Sequence, residues 1–273
     1  TRLQGDWSSD VCSSDLLVLL QWFSSPQGPT IAELVTQSLC SIEGGYDRLA
    51  EKFDHSVFRT PDRVLEPLAR HFFACERALD IGCGTGAVVQ RLQPFCRELT
   101  GIDLSRAMLS KARQNLAPHE VHWIHGDFLK TYWENSFDLI TTVGVLGHID
   151  PKDQKLFAQR VASALKPGGS FITVVGDLRG HRWLSLPALL FDSAMRLRNL
   201  LWRPRFVMYY LSFVLPRCAQ ILEEAGLEVE VLEAGLPRPY SQLKIVRARR
   251  PCLPTTDNEA VADARRSGPS RPD

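Results

Sequence analysis

Residues Ala78 to Gly86, which read ALDIGCGTG, are the part of this chain whose residue types and spacing are best suited to chemistry. Asp80 ends a short apolar run typical of a buried strand, and three alternate glycines (Gly82, Gly84 and Gly86) follow it. They predict a tight turn where a ligand approaches the backbone before a helix begins. The dinucleotide fingerprint G-x-G-x-x-G has a different spacing and faces a pyrophosphate. Asp80 would repel a phosphate and suits a ligand that carries an ammonium group.

A second acid stands at the end of the next apolar run. Residues 98–102 are typical of a short strand, and Asp103 follows them about twenty residues after the glycines. An acid at the tip of the second strand of a nucleotide-binding sheet can accept hydrogen bonds from both ribose hydroxyls. Asp103 therefore predicts a ligand that contains a ribose, under either interpretation of the glycines.

The loop after the fourth predicted strand is the expected place for the reaction. Phe137–Val143 is typical of a buried strand, and Gly144–Ile149 follows it. In open α/β sheets, ligands lie beyond the carboxyl ends of the strands. His148 is the titratable side chain of this loop, so it is the candidate general base or substrate contact.

Three further segments join the glycine loop in one resemblance. These segments are Tyr46-Asp47-Arg48-Leu49-Ala50, Gly126-Asp127-Phe128 and the Lys166-Pro167-Gly168-Gly169 turn. With the glycine loop and Asp103 they resemble, in this order, the motifs of class I S-adenosylmethionine-dependent methyltransferases. The resemblance extends roughly over residues 46–248 and implies S-adenosyl-L-methionine as the cofactor and methyl transfer as the activity.

The resemblance also implies the residues that bind the cofactor. The tyrosine of the first segment edges the cofactor pocket, Met108 makes an apolar contact to the adenine, and Asp127 accepts a hydrogen bond from the adenine amine. The expected cofactor-binding residues are Tyr46, Asp80, Gly82, Cys83, Gly84, Gly86, Asp103, Leu104, Met108, Asp127, Phe128 and Val143.

One departure from the family leaves the function partly open. Many relatives read L-E-H where this chain has Leu146-Gly147-His148, and no N-P-P-Y-like motif follows the fourth strand. The acceptor atom, oxygen, nitrogen or carbon, is therefore not predicted. An NAD-dependent oxidoreductase would share the glycines and Asp103 but leaves Asp127 and Pro167-Gly168-Gly169 unexplained. A catalytically silent S-adenosylmethionine-binding adaptor is the second alternative, which the glycine at position 147 favours.

The composition sets limits on the fold and on the partners. With 273 residues, 44% of them hydrophobic, the chain is long enough for one large α/β domain with appendages. We expect a doubly wound, Rossmann-like sheet with helices on both faces, and the resemblance implies seven strands with an antiparallel last one. The formal charge of +1 provides no overall field for nucleic acid, so no nucleic-acid partner is expected.

The histidines and cysteines do not predict a metal site. His119, His122 and His125 recur every three residues, but side chains three apart on a strand point to opposite faces. The seven cysteines lie at positions 12, 40, 75, 83, 96, 218 and 252, with no C-x-x-C pair and no zinc spacing. This scattered pattern favours a reducing, cytoplasmic location.

We expect five regions along the chain. Residues 6–16, DWSSDVCSSDL, look like the in-frame translation of a sequencing adapter, so residues 1–16 are expected to be non-native. Residues 17–76 form a helical segment, 77–250 the cofactor-binding domain with an insertion at 179–215, and 251–273 a disordered tail. In the helical segment, Thr30 and Glu33 have the form of a capping box for a helix that should end at Gly44-Gly45.

The insertion at 179–215 is expected to form a helical lid or binding element. Arginines alternate there with tryptophan, phenylalanine and leucine residues, and its apolar run is too short to span a bilayer. Such a composition suits a helix at a membrane interface or one that closes over a greasy acceptor. We therefore expect a small apolar or amphiphilic acceptor, lipid-like or quinone-like, and peripheral contact with the inner face of the membrane. The oligomeric state is not predicted.

Overall fold

Seven strands form the sheet that positions the site. A computed structural model describes residues 27–56, 58–177, 179, 185–238 and 240–252. The strands are β1 (Cys75–Ile81), β2 (Cys96–Asp103), β3 (His122–His125), β4 (Phe137–Thr142), β5 (Leu165–Gly176), β6 (Glu228–Glu233) and β7 (Leu243–Arg249). Their order is β3-β2-β1-β4-β5-β7-β6, with parallel pairs from β3 to β5 and β7 antiparallel to both neighbours. The predicted doubly wound, Rossmann-like sheet is confirmed.

Helices cover both faces of this sheet. They are α1 (Ile31–Leu39), α2 (Ile42–Leu49), α3 (Asp62–Ala69), α4 (Ala87–Leu92), α5 (Arg106–Leu116), α6 (Gln154–Ala164), α7 (Ser185–Leu201) and α8 (Arg217–Glu224). Short 3-10 turns occupy Ala50–His55 and Leu146–His148. One buried apolar cluster joins α6 and α8 to the sheet, and another joins α3, α4 and α5 to it. Each layer of helices therefore has its own core.

The amino-terminal helices differ in one respect from the prediction. Thr30 caps α1 as expected, because its hydroxyl accepts from the Glu33 amide and the Glu33 carboxylate accepts from the Thr30 amide. The helix ends at Leu39, however, with Cys40 as its C-cap, and the predicted end at Gly44-Gly45 is wrong. The hydroxyl of Ser41 accepts from the Gly44 amide at 3.1 Å and begins α2, which includes both glycines.

The Lys166-Pro167-Gly168-Gly169 segment also differs from its predicted form. We expected a turn before a strand that begins at Ser170, but β5 already begins at Leu165 and runs through this segment. The register of β4 and β5 shifts between Phe137 and Leu139, and this irregularity accommodates the segment. Pro167 therefore lies within the strand at a point where the pairing is interrupted.

A disulfide joins two neighbouring strands of the sheet. It links Cys75 on β1 to its register partner Cys96 on β2, and the cysteine spacing did not predict it.

Within the described ranges, none of the helices combines the length and the apolar character needed to cross a bilayer. The cytoplasmic location remains a prediction. The predicted non-native segment 1–16 lies outside the described residues, as does the expected tail beyond Cys252.

Candidate cofactor and acceptor site

The glycine loop lies at the carboxyl end of β1 and borders a cavity of about 380 Å³. Gly82 has a φ of +65°, and a Cβ atom there would lie 2.2 Å from Cγ2 of Val145. Gly86 has a φ of +90° and directly precedes α4. Both positions therefore require glycine, because a side chain would be strained at either one and would collide with Val145 at the first.

Asp103 ends β2 at the edge of this cavity. Its Oδ2 accepts a hydrogen bond from the Gly84 amide and its Oδ1 accepts one from the Ser105 amide, both at 2.8 Å. Each carboxylate oxygen keeps further acceptor capacity for a ligand. Burial raises the pKa of Asp103, and the two amides oppose this effect. The carboxylate is therefore fixed in one orientation before a ligand binds.

Asp80 lies behind the glycine loop and is only 1% exposed. The hydroxyl of Thr141, on the neighbouring strand β4, donates to its Oδ1 at 2.8 Å. Burial raises the pKa of Asp80 to about 8, and the nearby Asp103 carboxylate adds to the rise, while the Thr141 hydroxyl opposes it. Two adjacent buried acids are most easily ionised next to a cation. This wall of the cavity therefore favours a positively charged ligand group.

His148 and Tyr46 form a hydrogen-bonded pair across 102 residues of sequence. The Nδ1 atom of His148 lies 2.7 Å from the Val207 carbonyl oxygen, which can only accept, so Nδ1 carries the hydrogen. In the neutral ring Nε2 then accepts from the hydroxyl of Tyr46 at 2.8 Å. Burial lowers the pKa of His148 and raises that of Tyr46. The pair therefore consists of a neutral imidazole and a neutral phenol.

The insertion holds this pair in place and explains the glycine at position 147. The Tyr209 amide donates to the Gly147 carbonyl at 2.7 Å, and a Cβ atom on Gly147 would lie 3.5 Å from the Tyr209 carbonyl oxygen. The ring of Phe206 stacks on Tyr46 with 6.3 Å between centroids. A longer side chain at position 147 would meet the backbone of the insertion. The departure from the family's L-E-H pattern therefore accompanies the packing of residues 206–209.

Sequence reasoning missed the contacts that fasten the amino-terminal helices over the glycine loop. Asp47 accepts from the Ser105 hydroxyl at 2.6 Å and from the Ala107 amide at 3.1 Å. Asp54 accepts from the Thr85 hydroxyl at 2.6 Å. Asp47 belongs to the Tyr46–Ala50 segment and Asp54 lies four residues beyond it, but the sequence pattern did not indicate either set of hydrogen bonds.

A second cavity of about 500 Å³ adjoins the first. Seven residues line both cavities and form the boundary between them: Tyr46, Phe58, Arg59, Thr60, Val143, Gly144 and His148. Aromatic residues of α2, the insertion and the loop before β7 also line the second cavity. The site therefore offers two adjoining spaces, with the histidine–tyrosine pair where they meet.

The structure brings the predicted site residues together with one exception. The residues that line the first cavity are Tyr46, Asp80, Gly82, Cys83, Gly84, Asp103, Leu104, Met108, Asp127, Phe128, Val143 and His148. Gly86 is not among the lining residues and acts only in the turn into α4. Phe128 is largely buried and also stacks on Trp133 in the core. The individual roles of these residues remain predictions.

The three regularly spaced histidines lie apart from this arrangement. His125 donates from Nε2 to the Leu104 carbonyl at 2.9 Å, and His122 is exposed on the edge strand β3. Within the described ranges, no group of three or more His, Cys, Asp or Glu side chains is placed to hold a metal ion.

Comparison with known proteins identifies the family. A family described as a methyltransferase domain matches residues 78–169, from β1 into β5. The ubiquinone biosynthesis O-methyltransferase of Aromatoleum aromaticum is 28% identical over 177 residues, 62% of this chain and 71% of that protein. Residues 78–169 therefore form a methyltransferase domain that is similar to those of class I S-adenosylmethionine-dependent methyltransferases. Neither the oxidoreductase nor the adaptor gains support from these comparisons.

Other relatives of this methyltransferase chain differ in their named activities. Nodulation protein S of Rhizobium tropici is 30% identical over 109 residues, 39% of this chain and 46% of that protein. The chain spans about half the length of the first curated relatives that it matches. The names of these relatives differ, so the comparisons do not identify the acceptor.

Solved structures agree on the fold. The YcgJ protein of Bacillus subtilis has a TM-score of 0.54 and 16% identity, covering 70% of this chain and 99% of that chain. The N-methyltransferase NodS of Bradyrhizobium japonicum, solved with S-adenosyl-L-homocysteine, has a TM-score of 0.51 and 22% identity, covering 70% and 86%. At these identities the likeness shows the methyltransferase fold alone.

The first cavity fits the cofactor of this family. S-adenosylmethionine carries a ribose, an adenine and a methionine end with an ammonium group and a sulfonium. The free acceptor capacity of Asp103 matches the ribose hydroxyls, and the buried acid pair of Asp80 and Asp103 matches a cationic ligand. Asp127 and the apolar side chains of Leu104 and Met108 line the same cavity, as an adenine site requires.

Proposed function

We propose that this protein transfers the methyl group of S-adenosylmethionine to a small, amphiphilic acceptor bound in the second cavity. The observation that carries the proposal is the wall shared by the two cavities, where Tyr46, Val143, Gly144 and His148 would separate donor from acceptor. The cofactor, when bound, supplies a methyl group activated by its sulfonium. The protein's own contribution is to align the two ligands and to exclude water.

The acids that line the first cavity and His148 have separate roles in this proposal. Asp103 would hold the ribose, Asp80 would favour the ammonium group, and Asp127 would accept from the adenine amine. His148 is the candidate base, because its Nε2 is the acceptor atom of a neutral ring at the shared wall. A general base in such a position typically contributes a factor of about 10² to 10⁴ in rate.

Labelled cofactor tests the proposal directly. We expect calorimetric titration to show competitive binding of S-adenosylmethionine and S-adenosylhomocysteine, with no appreciable binding of NAD. Incubation with methyl-labelled cofactor and fractionated cell extract should then transfer label to an amphiphilic small-molecule fraction. NAD binding without S-adenosylmethionine binding would overturn the assignment, and cofactor binding without any labelled product would support the silent adaptor instead.

The proposal includes peripheral membrane contact through the insertion. Exposed leucines on α7 and the tryptophan that follows this helix present an apolar surface. Two polar side chains on the buried side of α7 bind residues 206–211 of the insertion, part of which lines the second cavity. Asp192 accepts from the Tyr210 and Leu211 amides. Asn199 accepts from the Phe206 amide. This arrangement favours an acceptor that reaches the second cavity from a lipid surface, at the cytoplasmic side as the sequence predicts.

A further inference from the structure

The hydrogen bonds around His148 leave one acceptor position open to a ligand. Because the Val207 carbonyl fixes the hydrogen on Nδ1, Nε2 receives the hydroxyl hydrogen of Tyr46. A phenol oxygen that donates its hydrogen still has lone pairs with which to accept. Tyr46 lines both cavities, so a ligand hydroxyl at the shared wall can donate to this oxygen.

The second cavity has the lining expected for an aromatic ligand. Phe58, Tyr209, Tyr210, Phe213 and Tyr240 are among the residues that line it. Flat rings favour aromatic partners through stacked and edge-to-face contacts. The cavity therefore favours a planar ring over a flexible chain at the end next to His148.

The charges around the second cavity disfavour a cationic acceptor. Arg63 lines it, and its guanidinium lies over the Tyr240 ring at 4.9 Å from the centroid. Arg59 lines both cavities and is paired with Asp62 at 2.9 Å. Among the described residues that line the second cavity, Asp54 is the only acid, and it already accepts from the Thr85 hydroxyl and the Asn115 amide. An ammonium group would therefore meet Arg63 without a free carboxylate.

We propose that the acceptor is a phenol, and that its hydroxyl proton passes to His148 through the hydroxyl of Tyr46. The inference rests on the proposed methyl transfer. A neutral phenol is a weak nucleophile and gains reactivity as its proton leaves, whereas a neutral amine needs no base to attack. Tyr46 would then contact the acceptor directly and relay its proton. This role adds to the contact with the cofactor pocket that the sequence resemblance implies for Tyr46.

The step balances in atoms and charge. The phenol O–H bond breaks and an O–CH₃ bond forms, while the electron pair of the former S–CH₃ bond stays on the cofactor's sulfur. The phenol's proton goes to the Tyr46 oxygen as the tyrosine's own hydrogen goes to Nε2 of His148. The imidazolium then returns its proton to water after product release. No oxidant, reductant or metal ion enters the step.

Acceptor acidity provides the test. Catechol, the more acidic 4-nitrocatechol and the matched amine 1,2-diaminobenzene serve as probes with wild-type protein and with Tyr46→Phe. We expect methylation of both catechols by the wild-type protein, whereas any methylation of the neutral diamine should not depend on Tyr46, because an amine needs no base to attack. Tyr46→Phe should lower kcat for catechol by about 100-fold or more. It should lower kcat for 4-nitrocatechol much less, because that phenol is already ionised near neutral pH.

Two controls separate a proton relay from a structural role. Tyr132→Phe removes a hydroxyl from an exposed tyrosine outside both cavities and should leave all rates unchanged. In Tyr46→Phe, the catechol rate should rise with pH as catechol ionises in solution. Equal losses for both catechols, or methylation of the diamine alone, would overturn the inference while leaving methyl transfer intact. Failure to methylate any acceptor, the extract included, would instead count against the proposed function.

Discussion

Asp103 is the residue on which cofactor binding should depend most. Its two oxygens are oriented by the amides of Gly84 and Ser105, and it is half-buried at the edge of the first cavity. A bidentate acceptor of this kind makes charge-assisted hydrogen bonds, which are roughly twice as strong as neutral ones. The affinity for S-adenosylmethionine should therefore respond to this side chain more than to any apolar contact with the adenine.

Replacing this acid tests that expectation. Asp103→Ala should lose roughly 2–4 kcal/mol of cofactor affinity, a weakening of tens-fold or more, measured by calorimetric titration. Glu98→Ala, an exposed acid on the same strand, is the matched control and should bind normally. Circular dichroism should show that both variants keep the fold. An unchanged dissociation constant in Asp103→Ala would remove this residue from the site.

The raised pKa of Asp80 predicts that cofactor binding is coupled to the release of a proton. Because burial raises its pKa from 3.8 to about 8, the carboxyl group is mostly protonated in the ligand-free protein at neutral pH. A cationic ligand favours the ionised form, so binding near pH 7 should release a proton, and affinity should increase up to about pH 8 and then level off. Calorimetry in buffers of different ionisation enthalpy measures this release. Asp80→Asn should abolish it, and identical enthalpies in all buffers would contradict the prediction.

The same carboxyl group affects folding stability with a definite sign. Between its ordinary pKa of 3.8 and about 8, the folded state keeps a proton that the unfolded state releases. The free energy of unfolding without ligand should therefore decrease as pH rises through this range, and the decrease should be smaller in Asp80→Asn. Urea denaturation at a series of pH values measures it. A free energy of unfolding with the same pH dependence in both proteins would argue against a buried, protonated Asp80.

At the scale of elements, local signals were enough for some features of this fold. The helix α5 begins at a recognisable N-cap residue, because the Ser105 hydroxyl accepts from the Met108 amide. The predicted end of the first helix is wrong, because Ser41 caps α2 and the two glycines lie within that second helix. The histidine–tyrosine pair joins residues 102 apart and depends on a carbonyl of the insertion, so no local pattern could indicate it.

The Gly147 loop and residues 206–209 should behave as one packed unit. Gly147→Ala places a Cβ atom at an ordinary contact distance of 3.5 Å from the Tyr209 carbonyl and should be tolerated. Gly147→Glu, the family's more common residue, would bring a carboxylate against that carbonyl oxygen. We expect Gly147→Glu to lose about 1–3 kcal/mol of stability and to slow methyl transfer, measured by thermal denaturation and the labelled-cofactor assay. A Gly147→Glu protein as stable and active as Gly147→Ala would show that the unit is not closely packed.

On the scale of the whole molecule, the cavities are closed by elements outside the sheet. The amino-terminal helices are fastened to the glycine loop by Asp47 and Asp54, and the insertion is fastened to the Gly147 loop. Arg198, near the end of α7, donates to carbonyl oxygens of Cys40 and Pro204 and so joins α7 to the end of α1. This arginine is a structural tie, and burial lowers its pKa. Reversing its charge would therefore disturb the fold as well as any membrane contact.

The exposed apolar side chains of α7 test membrane contact without the structural effect of a charge reversal at Arg198. Leu200 and Leu201 are 77% and 74% exposed, and Trp202 beside them is 53% exposed. Burying each leucine in a lipid interface is worth about 1.5–3 kcal/mol, so Leu200→Asp with Leu201→Asp should reduce sedimentation with phosphatidylglycerol-containing liposomes at least about tenfold. Cofactor affinity should stay constant, because neither leucine lines the cavities. Val231→Asp, an exposed apolar position on β6, is the control and should sediment like the wild type. If the wild-type protein does not bind liposomes and labels only water-soluble phenols, the apolar surface of α7 has another role and the insertion acts as a lid alone.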